Sequence, residues 1–157
     1  MRLVFWAGFW IFLADQATKY LVVHYLDLRT LGSLDVLPPL INLRMAWNYG
    51  INFGLFADNA DATRWILIAV AALVMIFVMY WLRKEEFGRW GLLSAGILLG
   101  GALGNVVDRL LYGAVADFLN MSCCGWTNPY SFNIADIAIF AGAFGMVIFG
   151  GDEQKSA

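Results

Sequence analysis

The sequence predicts an all-α membrane protein: four transmembrane helices, with a small extracytoplasmic β cradle between the first and second. Three observations lead there. Of 157 residues, 61% are hydrophobic and only 14% charged, where a soluble domain carries roughly a quarter charged residues. The apolar residues come in blocks long enough to cross a bilayer, not at amphipathic spacing. Between the first two blocks, apolar and polar residues alternate with period two over 41–49, the pattern of a half-buried strand.

The four blocks run over about 3–23, 65–82, 90–112 and 132–150. A crossing helix needs about 20 residues for some 30 Å of hydrocarbon, so the second and fourth are short but adequate. The first carries Asp15 and Lys19, the third ends at Asp108 and Arg109, and the fourth holds only Asp136. The first block is too long for the apolar core of a signal peptide and no A-x-A-like cleavage site follows it, so it is expected to be retained. The whole chain, 1–157, reads as a single membrane domain.

Orientation follows from basic residues. The link Arg83-Lys84-Glu85-Glu86-Phe87-Gly88-Arg89 holds three in seven, and Arg2 and Lys155 fall on the same side of a four-span layout. Both termini are therefore expected in the cytoplasm, and segments 24–64 and 113–131 outside. The net charge of −2 argues against a nucleic-acid partner.

Within the outer 24–64 segment, Ile41, Leu43, Met45, Trp47 and Tyr49 alternate with Asn42, Arg44, Ala46 and Asn48. Pro38 and Pro39 set the start of this strand, and Gly50 and Gly54 break it. Trp47, Tyr49, Phe53 and Phe56 are expected as interfacial anchors.

Asp117 and Asp136 flank the last outer loop, each where an apolar segment meets water. A carboxylate there is costly and marks a functional site by default. Two that meet can share a proton, one acting as acid and one as base on a water between them. The competing structural reading has each Asp capping a helix end or pairing with Arg109.

Asp15, Thr18 and Lys19 share a face of the first helix, as do Asn105, Asp108 and Arg109 of the third. Asp15 before Lys19 is the favourable order for an ion pair, which serves equally as helix glue or as part of a site. Asp108 and Arg109 point apart by about 100° and are expected to bind other groups. Gly100, Gly101 and Gly104 permit close helix approach. Cys123 and Cys124 are adjacent, so two free thiols or pairing elsewhere is expected over a strained small ring. The single histidine, His24, excludes a multi-histidine metal site within the chain and reads as an interfacial residue at a helix end.

At these residues the sequence resembles the lipoprotein signal peptidases (signal peptidase II), the aspartyl peptidases of the bacterial inner membrane. The matching motifs are Asp15-Gln-Ala-Thr-Lys19, Asn48-Tyr-Gly50-Ile-Asn-Phe53-Gly54, and Gly100-Gly101-Ala-Leu-Gly104-Asn105-Val-Val-Asp108-Arg109. They continue with Gly113-Ala-Val115-Ala-Asp117-Phe118 and Phe132-Asn133-Ile-Ala135-Asp136. One departure is Ile51-Asn52, where the family commonly has two small residues, a change that bears on the shape of the substrate groove.

The resemblance implies cleavage of a prolipoprotein just before a diacylglyceryl-modified cysteine, with Asp117 and Asp136 as the catalytic dyad. Asp15, Lys19, Asn48, Gly101, Asn105, Asp108, Arg109, Asn133 and Ala135 fall at its substrate-binding or site-supporting positions. It implies membrane lipid around the chain, inhibition by globomycin-type compounds, and no cofactor or metal. A monomer suffices, because one chain holds every proposed group. The rival readings are a small proton-coupled carrier using intramembrane Asp and Lys, which the absence of a sequence repeat disfavours, a structural scaffold, and a carboxylate site for a hard cation.

Overall fold

The computed structural model describes residues 1–38, 40–50, 60–123, 125, 126 and 128–150. The expectations placed on Pro39, Ile51, Asn52, Phe53, Gly54, Phe56, Cys124 and Lys155 lie outside these residues.

Among the described residues five α-helices and three strands follow in order: α1 (Arg2–Tyr20), α2 (Leu28–Leu31), β1 (Ser33–Leu37), β2 (Ile41–Asn48), α3 (Ala60–Lys84), α4 (Arg89–Tyr112), β3 (Val115–Met121) and α5 (Ile134–Phe149). A π-helical turn, Leu21–Tyr25, extends α1. Helices α3 and α4 are long and apolar enough to cross a membrane, while α5 is apolar but shorter, at 16 residues.

Helix α4 is the centre of the bundle and packs closely against both α1 and α5, whereas α3 leans mainly on α4. Small residues make this possible. A Cβ on Gly8 of α1 would stand 3.1 Å from the Gly96 carbonyl of α4, and one on Gly101 of α4 would stand 2.6 Å from the Ala135 carbonyl of α5. Backbones at that distance exchange dispersion contacts along the whole crossing, which is what holds helices together where lipid removes the hydrophobic drive. Helix α3 is the outermost: only 11% of its most apolar stretch is buried, against 61% for α4. Its exposed Leu73, Ile76 and Phe77 are what an apolar solvent accepts.

The strands form one antiparallel sheet in the order β1-β2-β3. The expected alternation over 41–49 is β2, in the middle of it. The sheet is not confined to the stretch between the first two long helices, because β3, from the segment after α4, is its third strand. Gly113, with φ +78°, ends α4 in the left-handed region that a Cβ disfavours, and its N–H closes on the Arg109 carbonyl at 3.1 Å. The chain then enters β3 directly. Val22, Leu28, Leu43 and Phe118 form a small core under the sheet, and Phe132 adds a bridge to Leu119 at the far edge of β3.

His24 lies at the end of the first helical stretch, 3.2 Å from the Tyr112 hydroxyl. Trp47 packs on Tyr112 with ring centroids 5.5 Å apart. Cys123 is disulfide-bonded, so the free-thiol expectation fails for it. It sits in a tight turn, exchanging backbone hydrogen bonds with Trp126 at 3.2 and 2.9 Å.

Candidate active site

Asp117 comes from β3 and Asp136 from the first turn of α5; the Phe132–Leu119 bridge brings the two elements together. Phe132 N donates to Leu119 O at 2.9 Å and Phe132 O accepts from Leu119 N at 2.8 Å. The next residue, Asn133, is thereby set beside Asp117, and it is also the N-cap of α5. Its Oδ1 accepts from Asp136 N at 2.8 Å, and Asp136 Oδ2 accepts from Asn133 N at 3.3 Å, a reciprocal capping box. Its Nδ2 donates to Asp117 Oδ1 at 2.6 Å.

The second oxygen of Asp117 accepts from Asn48 Nδ2 at 3.1 Å. Register explains this contact. Ala46 of β2 faces Asp117 across the ladder, so Asn48, two residues on, is its diagonal neighbour on the same face of the sheet. Asn105 Nδ2 of α4 donates to Asp136 Oδ1 at 2.9 Å. Each carboxylate is therefore held by asparagine amides, which orient it without neutralising it.

Asp117 is only 3% exposed. Burial, followed by the charge of Asp136, pushes its carboxyl up to about 7, while the hydrogen bonds from Asn48 and Asn133 pull the other way. A carboxyl titrating there can hold or release a proton near neutrality, as an acid–base catalyst needs.

Behind the pair lies a polar layer sealed from solvent. Asp15 and Asp108 are 0% exposed and Lys19 only 4%. Lys19 Nζ stands 2.8 Å from both Asp15 Oδ2 and Asp108 Oδ2, and 3.3 Å from Asn105 Oδ1. The ion pair expected within α1 is thus a three-membered cluster that includes α4. Arg109 takes a different place: its Nη1 donates to the Asn105 carbonyl at 3.2 Å, and its Nε is buried without a partner among the described residues. It stands with Asn105 at the polar end of an apolar groove of about 310 Å³ between α3, α4 and α5, lined by residues such as Leu67, Val74, Leu98 and Ile139.

All the sequence-derived site residues fall in or against this one assembly. Gly101 and Ala135 meet at the α4–α5 contact beneath Asp136. The structural alternative for Asp136 is also true in part, since it completes the cap of α5. Gln16, which carried no role in the sequence reading, belongs here too: its Nε2 donates to Asp15 Oδ2 at 3.1 Å and Asp108 Oδ1 at 3.0 Å. An amide next to Asp15 inside an apolar segment was the available signal. Among the described residues no cluster of three or more His, Cys, Asp or Glu is arranged to hold a metal.

Comparison with known proteins identifies the family. The signal peptidase (SPase) II family profile matches residues 8–150. A lipoprotein signal peptidase of Methylobacterium sp. (strain 4-46) is 40% identical over 85% of this chain and 79% of its own length. One from Vibrio parahaemolyticus is 35% identical over 96% of this chain and 88% of its own. A bacterial membrane enzyme of known structure superposes with a TM-score of 0.79 at 25% identity, covering 99% of this chain and 91% of that one. With the profile spanning nearly the whole chain and relatives well above 30% identity along most of it, the chain belongs to the signal peptidase II family.

Proposed function

We propose that this chain removes the signal peptide from prolipoproteins, cutting on the N-terminal side of a diacylglyceryl-modified cysteine, with Asp117 and Asp136 as the catalytic dyad. Family membership supports the substrate class. The observation that carries the dyad is the double engagement of Asn133, which binds the carboxylates of both residues and so joins them in one site.

Asp117, buried and raised to about 7, enters as the acid, and Asp136 as the base. Asp136 takes a proton from a water, whose oxygen bonds to the scissile carbonyl carbon. Asp117 donates a hydrogen bond to the carbonyl oxygen as charge develops there. The tetrahedral intermediate collapses as the C–N bond breaks and a proton passes to the leaving amine. Two neighbouring carboxylates in low dielectric favour the singly protonated state this cycle starts from.

Asn48, Asn105 and Asn133 orient the dyad, and Arg109, whose Nε–H has no partner among the described residues, offers it to a substrate carbonyl in the apolar groove. The lipid-modified cysteine holds the scissile bond at the bilayer surface, where water is available. In this reading α1, α3, α4 and α5 all cross the bacterial inner membrane, both termini are cytoplasmic, the sheet and dyad lie at the extracytoplasmic face, and a monomer in lipid is the active form.

The test is cleavage of a diacylglyceryl-modified prolipoprotein peptide by wild type, Asp117→Asn and Asp136→Asn, with folding followed by thermal unfolding. Cleavage by wild type alone, insensitive to chelator and blocked by a globomycin-type inhibitor, is the expected result. Full activity in either folded Asn variant overturns the dyad.

A further inference from the structure

Taking Asp117 and Asp136 as the reacting pair, we propose that Gln16 and Lys19 form a clasp that fixes the spacing of the dyad, with Gln16 a positioning residue in its own right. The geometry has a matched form on its two sides. Each dyad residue follows an alanine whose backbone N–H is held by a buried carboxylate from a different helix. Ala116 N donates to Asp108 Oδ2 of α4 at 3.1 Å, and Ala135 N donates to Asp15 Oδ1 of α1 at 2.9 Å. Both alanines are at most 1% exposed, so no water replaces these bonds if the carboxylates move.

The two anchoring carboxylates repel one another, and α1 supplies what joins them. Lys19 Nζ reaches both at 2.8 Å. Gln16 Nε2 reaches both at 3.1 and 3.0 Å, using other lone pairs on Asp108 and the same oxygen of Asp15. Gln16 and Lys19 are i and i+3, hence on one face of α1. One ammonium offsets only one of two carboxylate charges; Gln16 adds neutral donors, which tie the oxygens together without adding charge. The chain of contacts therefore runs Asp117–Ala116–Asp108–(Gln16, Lys19)–Asp15–Ala135–Asp136. It references β3 to α5 through α4 and α1, and meets the Asn133 link at Asn105 Oδ1, which accepts from both Lys19 Nζ and Asn133 Nδ2 at 3.3 Å.

Gln16→Met keeps the side-chain length and removes the donors. On the diacylglyceryl prolipoprotein peptide it is expected to lower kcat by about tenfold with KM within about twofold, as for the loss of a positioning hydrogen bond. Hydrogen exchange at the Ala116 and Ala135 amides is expected to quicken together, with amides along α3 unchanged. Lys19→Arg, whose fork spans two carboxylates, should retain more kcat than Lys19→Met. Wild-type kcat and exchange in Gln16→Met would overturn the clasp. So would a raised KM at full kcat, which would put Gln16 against the substrate, or faster exchange everywhere, which would make it a general stability residue. If Gln16→Met does not fold, Gln16→Asn, shorter but still polar, carries the same readings. Should wild type fail to cleave the peptide, the peptidase reading fails, while exchange at Ala116 and Ala135 still decides whether the clasp exists.

Discussion

Asn133 stands with its Nδ2 2.6 Å from Asp117 Oδ1 while capping the helix that carries Asp136. One fully buried side chain thus performs two tasks that are usually separate: it satisfies the first turn of α5 and orients the carboxylate opposite. Stability and geometry are coupled at this residue, and a substitution is felt in both.

Asn133→Ala removes an N-cap, which costs about 1 kcal/mol, and leaves Asp117 short of a donor. The melting temperature should fall by several degrees, and kcat by about a hundredfold, the scale expected for a misplaced reacting group. Asn133→Asp keeps a capping oxygen but sets a third carboxylate against Asp117. It should recover much of the stability and little of the activity. Thermal unfolding and steady-state kinetics on the same preparations separate the two effects, and equal recovery of both would argue against the coupling.

The pH dependence follows from Asp117. Its folded carboxyl titrates at about 7, above the ordinary 3.8. Between those values the folded state binds more protons than the unfolded, so this group's contribution to stability falls as pH rises across the window and is lowest above about 7. The stability of Asp117→Asn relative to wild type should therefore rise between about pH 4 and pH 8, by several degrees in melting temperature. Wild-type kcat/KM should decline above about pH 7 as the acid is lost. A flat difference in melting temperature across that range would show that Asp117 is not perturbed.

Much of this site was legible in the sequence because its parts obey local rules. Asp15 and Lys19 at i, i+4 declared an ion pair, and the strict alternation of Ile41–Asn48 declared a strand with one supported face. β3 gave no such signal. Val115, Ala116, Asp117 and Phe118 are all buried, so both faces of the strand are covered and the period-two contrast vanishes. The second partner of Lys19 was hidden for another reason. Asp108 lies 89 positions away, and only the close α1–α4 crossing around Gly8 and Gly100 brings it to 2.8 Å. Gln16 carries no such signal, because a neutral amide lacks the charge that makes a polar residue in an apolar segment conspicuous.

The α4–α5 contact should be intolerant of a single methyl. A Cβ on Gly101 would lie 2.6 Å from the Ala135 carbonyl and 3.1 Å from the Ala138 Cβ. Neither is the end of a flexible side chain, so α5 itself must shift, at a cost of about 1–3 kcal/mol. Because Asp136 is the residue after Ala135, Gly101→Ala should lose activity by tenfold or more, roughly, even where it remains folded. The check is kcat measured well below the melting temperature of the variant; unchanged kcat would mean that the first turn of α5 does not set the position of Asp136.

Arg109 makes the sharpest contrast with the proposed dyad and its supports. Its Nη1 is tied to the Asn105 carbonyl, its buried Nε has no partner among the described residues, and the residue lines the groove between α3, α4 and α5. A buried unpaired donor is costly to maintain, and a substrate carbonyl arriving in the groove would relieve that cost. Removing such a donor weakens binding more than chemistry. Arg109→Gln should raise KM by about tenfold with kcat changed by less than about threefold, and Arg109→Lys should rescue little, since an ammonium cannot hold the Asn105 carbonyl and a substrate carbonyl in one plane. Steady-state kinetics on the lipidated peptide distinguish the outcomes. A fall in kcat at constant KM would instead place the guanidinium charge in the reaction, beside the carboxylates of Asp117 and Asp136 with which it interacts electrostatically.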